Sequence, residues 1–227
     1  VRTVSQRSAK KIIKEFKISK EKITVVPIFV SKILDQNIDR PEKIASEQFV
    51  FLTIGRLAAV KNIVMQIKAM AEITKEHKQA RLLIVGEGEQ ERELEELIRK
   101  YKLGDVISML GWKEKKELNK YYAKADCFLL TSNSEGWGMV VVEAAQFGLP
   151  IIMTDVGCAG EVIENTKSGL VINTGDTKAL VEEMKKVLTN KKLRLSIGYQ
   201  ARKSANSLPS QEEILTSYKK SWQKATQ

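Results

Sequence analysis

Six short apolar runs, separated by stretches of helical periodicity, constrain this chain more than any other feature. They are FVFLTI (49–54), RLLIV (81–85), DVISML (105–110), DCFLLT (126–131), PIIMTD (150–155) and GLVIN (169–173). Each is rich in Val, Ile or Leu and bounded by Gly, Pro, Asp or Asn, the composition of a strand. Several are apolar at every position, which fits parallel strands covered on both faces; a half-exposed strand would alternate.

The intervening stretches carry stripes at helical spacing. Leu94, Leu97, Ile98 and Tyr101 form one, Leu118, Tyr121, Tyr122 and Ala125 a second, and Leu180, Met184, Val187 and Leu188 a third. Gly104, Gly148 and the GDT at 175–177 mark helix ends and restarts. The alternation predicts an α/β fold: a doubly wound, parallel, six-stranded sheet of Rossmann type, with extra N- and C-terminal helices. A ligand of such a sheet binds beyond the C-terminal ends of its strands, where helix N-termini converge.

The ends of the chain read differently. Residues 5–17 predict a basic amphipathic helix with Ile12, Ile13 and Phe16 on one side; KITVVP (22–27) predicts a strand, and 31–47 a polar linker. After residue 190 no strand signal remains, and QEEILTSYKKSWQK predicts a helix with Leu215, Tyr218 and Trp222 on one face. Three segments follow: 1–47, 48–190 and 191–227. The first residue is Val1, which fits a processed product or a piece of a longer chain.

Charge follows the same division. The formal charge of +10 invites a nucleic-acid reading, but 1–48 carries +5 and 185–227 carries +8, while 49–184 carries −3. Basicity belongs to the ends, so no nucleic-acid partner is expected. Two cysteines do not make a disulfide framework, which fits a reducing, cytoplasmic setting, and Cys127 in DCFLLT reads as a buried, inert thiol. No run approaches the roughly 20 apolar residues a spanning helix needs.

Two loops could hold phosphate. VGEGEQ (85–90) resembles a dinucleotide turn but lacks a third glycine, follows the second strand, and places Glu87, Glu89, Glu91 and Glu93 where a pyrophosphate would be repelled. GRLAAVKN (55–62) follows the first strand. Gly55 permits a tight turn, and Arg56 and Lys61 could clamp two phosphates, one as a fork and the other as a point charge. Two solvated surface cations are the other reading. In TSNSEGWGMVVVEAAQFG (131–148), Gly136 and Gly138 let backbone amides approach a ligand. Glu135 and Glu143 could both face the crevice and accept hydrogen bonds from sugar hydroxyls while ionised. Alternatively, Glu135 suits a helix start and Glu143 is a surface residue. Glu143, however, lies between Val140–Val142 and Ala144–Ala145, where an unsatisfied carboxylate would be costly.

GRLAAVKN, VGEGEQERELEELI, the run from SMLGWKEKKEL to VGCAGEVI, and SGLVINTGD, in this order, resemble the C-terminal domain of family 4 retaining glycosyltransferases. These are the "glycosyl transferases group 1" enzymes of GT-B fold, and the likeness covers about 48–190. The resemblance implies a nucleotide-diphosphate sugar as donor, held as a substrate, with no cofactor and no metal. Arg56 and Lys61 match the residues that bind its diphosphate, Glu135 the carboxylate on the sugar hydroxyls, and Glu143 the one on the ribose. The segment Gly136, Trp137, Gly138, Met139 and Val140 matches the loop offering backbone amides. Gly55 precedes the arginine, and Trp112 lies near the nucleobase. Arg56, Lys61 and Glu135 would carry catalysis. Residues 1–47 resemble the close of the N-terminal domain and the interdomain crossover, and 191–227 the helices that pack back on that domain. VVPIFVSKI departs from the family's Asn-Gly-Val-Asp, Trp137 stands where Phe is commoner, and VGCAGE replaces a Gly-Gly loop.

The implied reaction moves a hexosyl group to an acceptor hydroxyl with retention, in glycan, glycolipid or polysaccharide biosynthesis. The acceptor would be a glycan or lipid-linked sugar, and the basic ends fit peripheral contact with an anionic inner membrane face. The chain lacks Asp-x-Asp and any Cys/His cluster, against a metal-dependent GT-A type; His77, the single histidine, falls in a polar connection. A nucleotide-sugar epimerase, a phosphorylase-like enzyme, or a non-catalytic nucleotide-sugar or anion-binding module on the same scaffold are the alternatives.

Overall fold

The computed structural model describes residues 1–31 and 48–225. In chain order the elements are β1 (Arg2–Thr3), α1 (Gln6–Phe16), β2 (Thr24–Val25), β3 (Phe49–Ile54), α2 (Ile63–Glu76), β4 (Ala80–Val85), α3 (Glu91–Lys100), β5 (Ile107–Met109), α4 (Lys115–Lys124), β6 (Cys127–Leu130), α5 (Met139–Gln146), β7 (Ile151–Thr154), β8 (Leu170–Ile172), α6 (Thr177–Thr189), α7 (Lys191–Asn206) and α8 (Gln211–Ala225). Each of the six apolar runs forms one strand, β3 to β8, usually trimmed by a residue or two at its ends.

These six strands form one sheet in the order β5-β4-β3-β6-β7-β8, every neighbouring pair parallel. The chain runs outward from β3 through β4 to β5, then returns to β6 on the opposite side of β3. That reversal is the switch point of a doubly wound sheet, and it opens a crevice between the loops after β3 and β6.

The all-apolar strands alternate between two hydrophobic layers. Phe51, Leu82, Ile84, Leu129 and Ile152 face α2, α3 and α6, where Ile67, Met70, Leu94 and Met184 are buried. Leu52, Phe128, Leu130, Ile151 and Met153 face Tyr122 of α4, Val141, Ala144 and Ala145 of α5, and Ala201 of α7. Burying side chains of this size on both faces, at about 2 kcal/mol each, outweighs the absence of polar alternation.

The ends build outward from this unit. β1 and β2 pair in parallel as a two-stranded ribbon, with α1 between them in sequence. α7, beginning one residue past the expected boundary at 190, packs against α5 with Ala201 and Ala205 buried. α8 reaches the N-terminal segment: Arg2 stands over Tyr218 at 4.4 Å, and Lys224 Nζ donates to the Glu21 carbonyl at 2.6 Å. The expected linker at 31–47 falls, from residue 32 on, outside the described residues.

Candidate functional site

Loops after β3, β4 and β6 converge at the C-terminal edge of the sheet. After β3, Gly55 and Arg56 lead into a 3-10 turn at Ala59–Lys61, and Asn62, at φ 49 and ψ 45, redirects the chain into α2. The Lys61 stem runs over Gly55, where an added Cβ would stand 3.8 Å from Lys61 Cε.

The β4 loop is laid against this turn backbone to backbone. Gly55 N–H donates to the Val85 carbonyl, Leu57 N–H to Glu87 and Gln90 N–H to Leu57, each at 2.9 Å. A Cβ on Gly86 would lie 1.9 Å from the Gly55 carbonyl oxygen, and one on Gly88 2.5 Å from that of Leu57. The glycines of VGEGEQ therefore serve contact between two loops. Their neighbour Glu89 pairs with Arg56, whose Nε donates at 3.2 Å and whose guanidinium approaches the same oxygen at 3.1 Å. A bond from its own backbone N–H, and then the Arg56 charge, hold the Glu89 carboxyl below the ordinary carboxylate range.

After β6, Ser132 and Glu135 approach Lys61. Lys61 Nζ lies 2.5 Å from Glu135 Oε1, and Ser132 Oγ donates to that oxygen at 2.7 Å. Both partners are largely screened, with Lys61 26% and Glu135 11% exposed, so the pair resists solvent screening better than Arg56–Glu89, at 73% and 55%. Thr154 Oγ1 on β7 donates to the Ser132 carbonyl at 2.6 Å. Gly136 is exposed, whereas the Trp137 ring is buried against the core, so that residue can meet a ligand through its backbone only. Gly138 takes a left-handed φ of 89 and opens α5 with no side-chain cap, leaving the first amides of Met139 and Val140 at an uncapped helix start. Met139 is exposed and Val140 half-buried.

Glu143 projects from α5 about one turn into the helix. Tyr122 Oη of α4 donates to Glu143 Oε2 at 2.8 Å, which satisfies the carboxylate amid its apolar neighbours. Burial, followed by the Glu143 charge, pushes the Tyr122 phenol well above its ordinary pKa, so it stays a donor. Trp112 follows β5, 61% exposed, one residue after Gly111, whose carbonyl accepts from Gly86 N–H at 2.9 Å.

The structure thus pairs Lys61 with Glu135, turns Arg56 of the same loop onto Glu89, leaves Trp112 exposed after β5, and sets Glu143 on α5 against Tyr122. The partners Tyr122, Ser132 and Glu89 were not legible as site residues. Tyr122 belongs to an apolar stripe, and Glu89 to a loop whose acidity argues against phosphate. Cys158 is buried, its thiol pushed up to about 12 by desolvation, and Cys127 is likewise buried. No group of three metal-ligating side chains occurs among the described residues, and no helix there is long and apolar enough to cross a membrane.

This fold and arrangement define a class. The sequence pattern of the family described as Glycosyl transferases group 1 matches residues 35–204, and the chain belongs to that family. It is 29% identical over 175 residues to N-acetyl-alpha-D-glucosaminyl L-malate synthase of Bacillus anthracis, covering 77% of this chain and 45% of that protein. It is 34% identical over 159 residues to an uncharacterized glycosyltransferase of Methanocaldococcus jannaschii, covering 67% and 39%. Among solved structures, S. aureus TarM in complex with fondaparinux, alpha-GlcNAc-glycerol and UDP superposes with a TM-score of 0.85 at 20% identity, over 97% of this chain and 43% of that one. The fold is that of GT-B glycosyltransferases, and the chain spans less than half the length of these relatives.

Proposed function

We propose that this chain is the donor-binding part of a retaining glycosyltransferase, which holds a nucleotide-diphosphate sugar while its sugar passes to an acceptor hydroxyl. The observation that carries the reading is the pairing of Lys61 with Glu135 at the switch point of the sheet, with Arg56 in the same loop as Lys61 and an uncapped helix start between Glu135 and Glu143. Arg56 and Lys61 meet the diphosphate, the amides of Gly136 to Val140 cradle phosphate and sugar, Glu135 takes sugar hydroxyls, and Glu143 takes the ribose. Trp112 lies on the nucleobase side. The glycosyltransferases that resemble this chain, one of them in complex with UDP, support the reading.

Charge on the leaving diphosphate grows as the glycosidic bond breaks. Cations fixed beside it lower the barrier because they need little reorganisation, and removing one such group commonly costs about 10²–10³ in rate. The two glutamates work as ionised acceptors, so the donor is gripped without an acid/base couple. A glycan or lipid-linked sugar is the acceptor, and the basic ends of the chain suit approach to an anionic membrane.

Calorimetry tests this with UDP, GDP, ADP and dTDP and their sugars, on the wild type, Lys61→Ala and Glu143→Ala. One nucleoside diphosphate is expected to bind, and each substitution to weaken it about tenfold or more. Binding of none, or equal binding by both variants, would overturn the assignment.

A further inference from the structure

The buried face of α2 carries one amide among apolar neighbours. Gln66, 1% exposed, stands with Met65, Ile67, Ala69 and Met70 against the sheet. Its Nε2 donates to Thr53 Oγ1 of β3 at 3.2 Å and to Thr131 Oγ1, just past β6, at 2.9 Å. Its Oε1 is buried and, among the described residues, has no hydrogen-bond partner. A buried acceptor left unsatisfied lowers stability and offsets part of what the two hydrogen bonds to threonine contribute. The amide's contribution to stability is therefore partial, and where its hydrogen bonds lead matters more.

Its hydrogen bonds lead to the candidate site. The Thr131 hydroxyl accepts from Gln66 and shares its own proton between the carbonyls of Lys61, at 3.2 Å, and Asn62, at 3.0 Å. One residue pair further along, Asn133 N–H donates to the Val60 carbonyl at 2.7 Å. The backbone at 60–62, including the left-handed Asn62, is thus stitched to the end of β6 at successive residues. This is the backbone from which the Lys61 side chain departs to reach Glu135. A lysine stem has four rotatable bonds, so its ammonium is placed only if the stem's origin is fixed.

We infer that Gln66 and Thr131 are positioning residues for Lys61, holding its backbone so that Nζ sits where the leaving diphosphate develops charge. Neither touches the ligand. The inference rests on the donor-site reading above.

A double-mutant cycle separates this role from a merely structural one. The measurements are calorimetric affinity for the nucleoside diphosphate that binds wild type, and urea unfolding. They cover Thr131→Val, Thr131→Ser, Gln66→Leu, Lys61→Ala, and the first and third each combined with Lys61→Ala. Thr131→Val is expected to weaken binding about tenfold, and Thr131→Ser, which keeps the hydroxyl, to stay within about twofold of wild type. Gln66→Leu should weaken binding by about three- to tenfold while urea unfolding shows a cooperatively folded protein at the assay temperature. In the Lys61→Ala background both losses should shrink to within about twofold, because the group being positioned is gone.

Wild-type affinity in both Gln66→Leu and Thr131→Val, or losses that persist undiminished without Lys61, would overturn the inference. If Thr131→Val does not fold, Gln66→Leu and its double mutant decide alone. Should wild type bind and Lys61→Ala bind less well while the cycle shows no coupling, the donor site stands and this inference alone falls. If wild type binds no nucleoside diphosphate, both fall.

Discussion

Lys61 Nζ and Glu135 Oε1 lie 2.5 Å apart, so the cation assigned to phosphate and the carboxylate assigned to sugar hydroxyls are each other's partner. A donor must draw on both at once, and each end of it loosens the pair for the other. Glu135→Gln removes the charge that holds Lys61 but keeps an acceptor oxygen. The expected result is a crossover: affinity for the nucleoside diphosphate alone holds or rises by about two- to fivefold, while the extra affinity contributed by the sugar falls. Titrating the diphosphate and its sugar against both proteins measures this. A parallel loss for both ligands would refute it.

Glu89 competes for Arg56 from the neighbouring loop. Because this pair is exposed, its removal should scarcely alter stability. Glu89→Gln is expected to raise diphosphate affinity by about two- to fivefold in low salt, with the gain fading as ionic strength shortens the range of the charge. Affinities measured across a salt series check both halves of that statement.

Tyr122 gives Glu143 its phenolic hydrogen bond. Tyr122→Phe keeps the ring that stacks on Phe147 at 5.1 Å but removes that donor. Hydrogen bonds to charged groups contribute about 1.5–3 kcal/mol, so unfolding stability should drop by an amount of that order. A ribonucleotide should also lose more affinity than its 2′-deoxy counterpart, since Glu143 is the group assigned to the ribose. Chemical denaturation and paired titrations read the two effects.

Cys158 supplies a pH dependence with a definite sign. Its thiol titrates at about 12 in the folded chain, raised by burial from 9.0. Above pH 9 the unfolded chain releases this proton while the folded chain keeps it, so stability falls as pH rises from 9 towards 12, by up to about 1.4 kcal/mol for each pH step. Below pH 9 the group has no effect. Cys158→Ala should flatten this alkaline slope without removing it, because the raised Tyr122 phenol acts in the same direction above pH 10. Native Cys158 should also resist alkylation at pH 8 until the protein unfolds.

The strands were legible because burial on both faces writes itself into every residue of a run such as FVFLTI. Arg56, Lys61 and Glu135 sit in the loops that succeed β3 and β6, which a doubly wound sheet sets side by side, and Glu143 on the helix that follows. Their partners were hidden for a different reason. Tyr122 meets Glu143 across 21 positions and Glu89 meets Arg56 across 33, distances at which no local period operates. VGEGEQ, whose acidity already argues against a phosphate turn, uses its glycines for close approach by Gly55 and Leu57. β1, two residues long, is too short to carry a pattern at all.

Arg7 of α1 donates to the carbonyls of Asp155 and Ala159 and pairs with the Asp155 carboxylate, while Glu161 accepts from the first amides of α1 at 3.1 and 3.3 Å. The same loop reaches Trp137, whose carbonyl accepts from Cys158 N–H at 2.8 Å. The contacts run without a break from α1 through Arg7 and Glu161 into 155–161, and from Cys158 to Trp137. Helix α1 is thus joined, through 155–161, to the turn that carries Glu135.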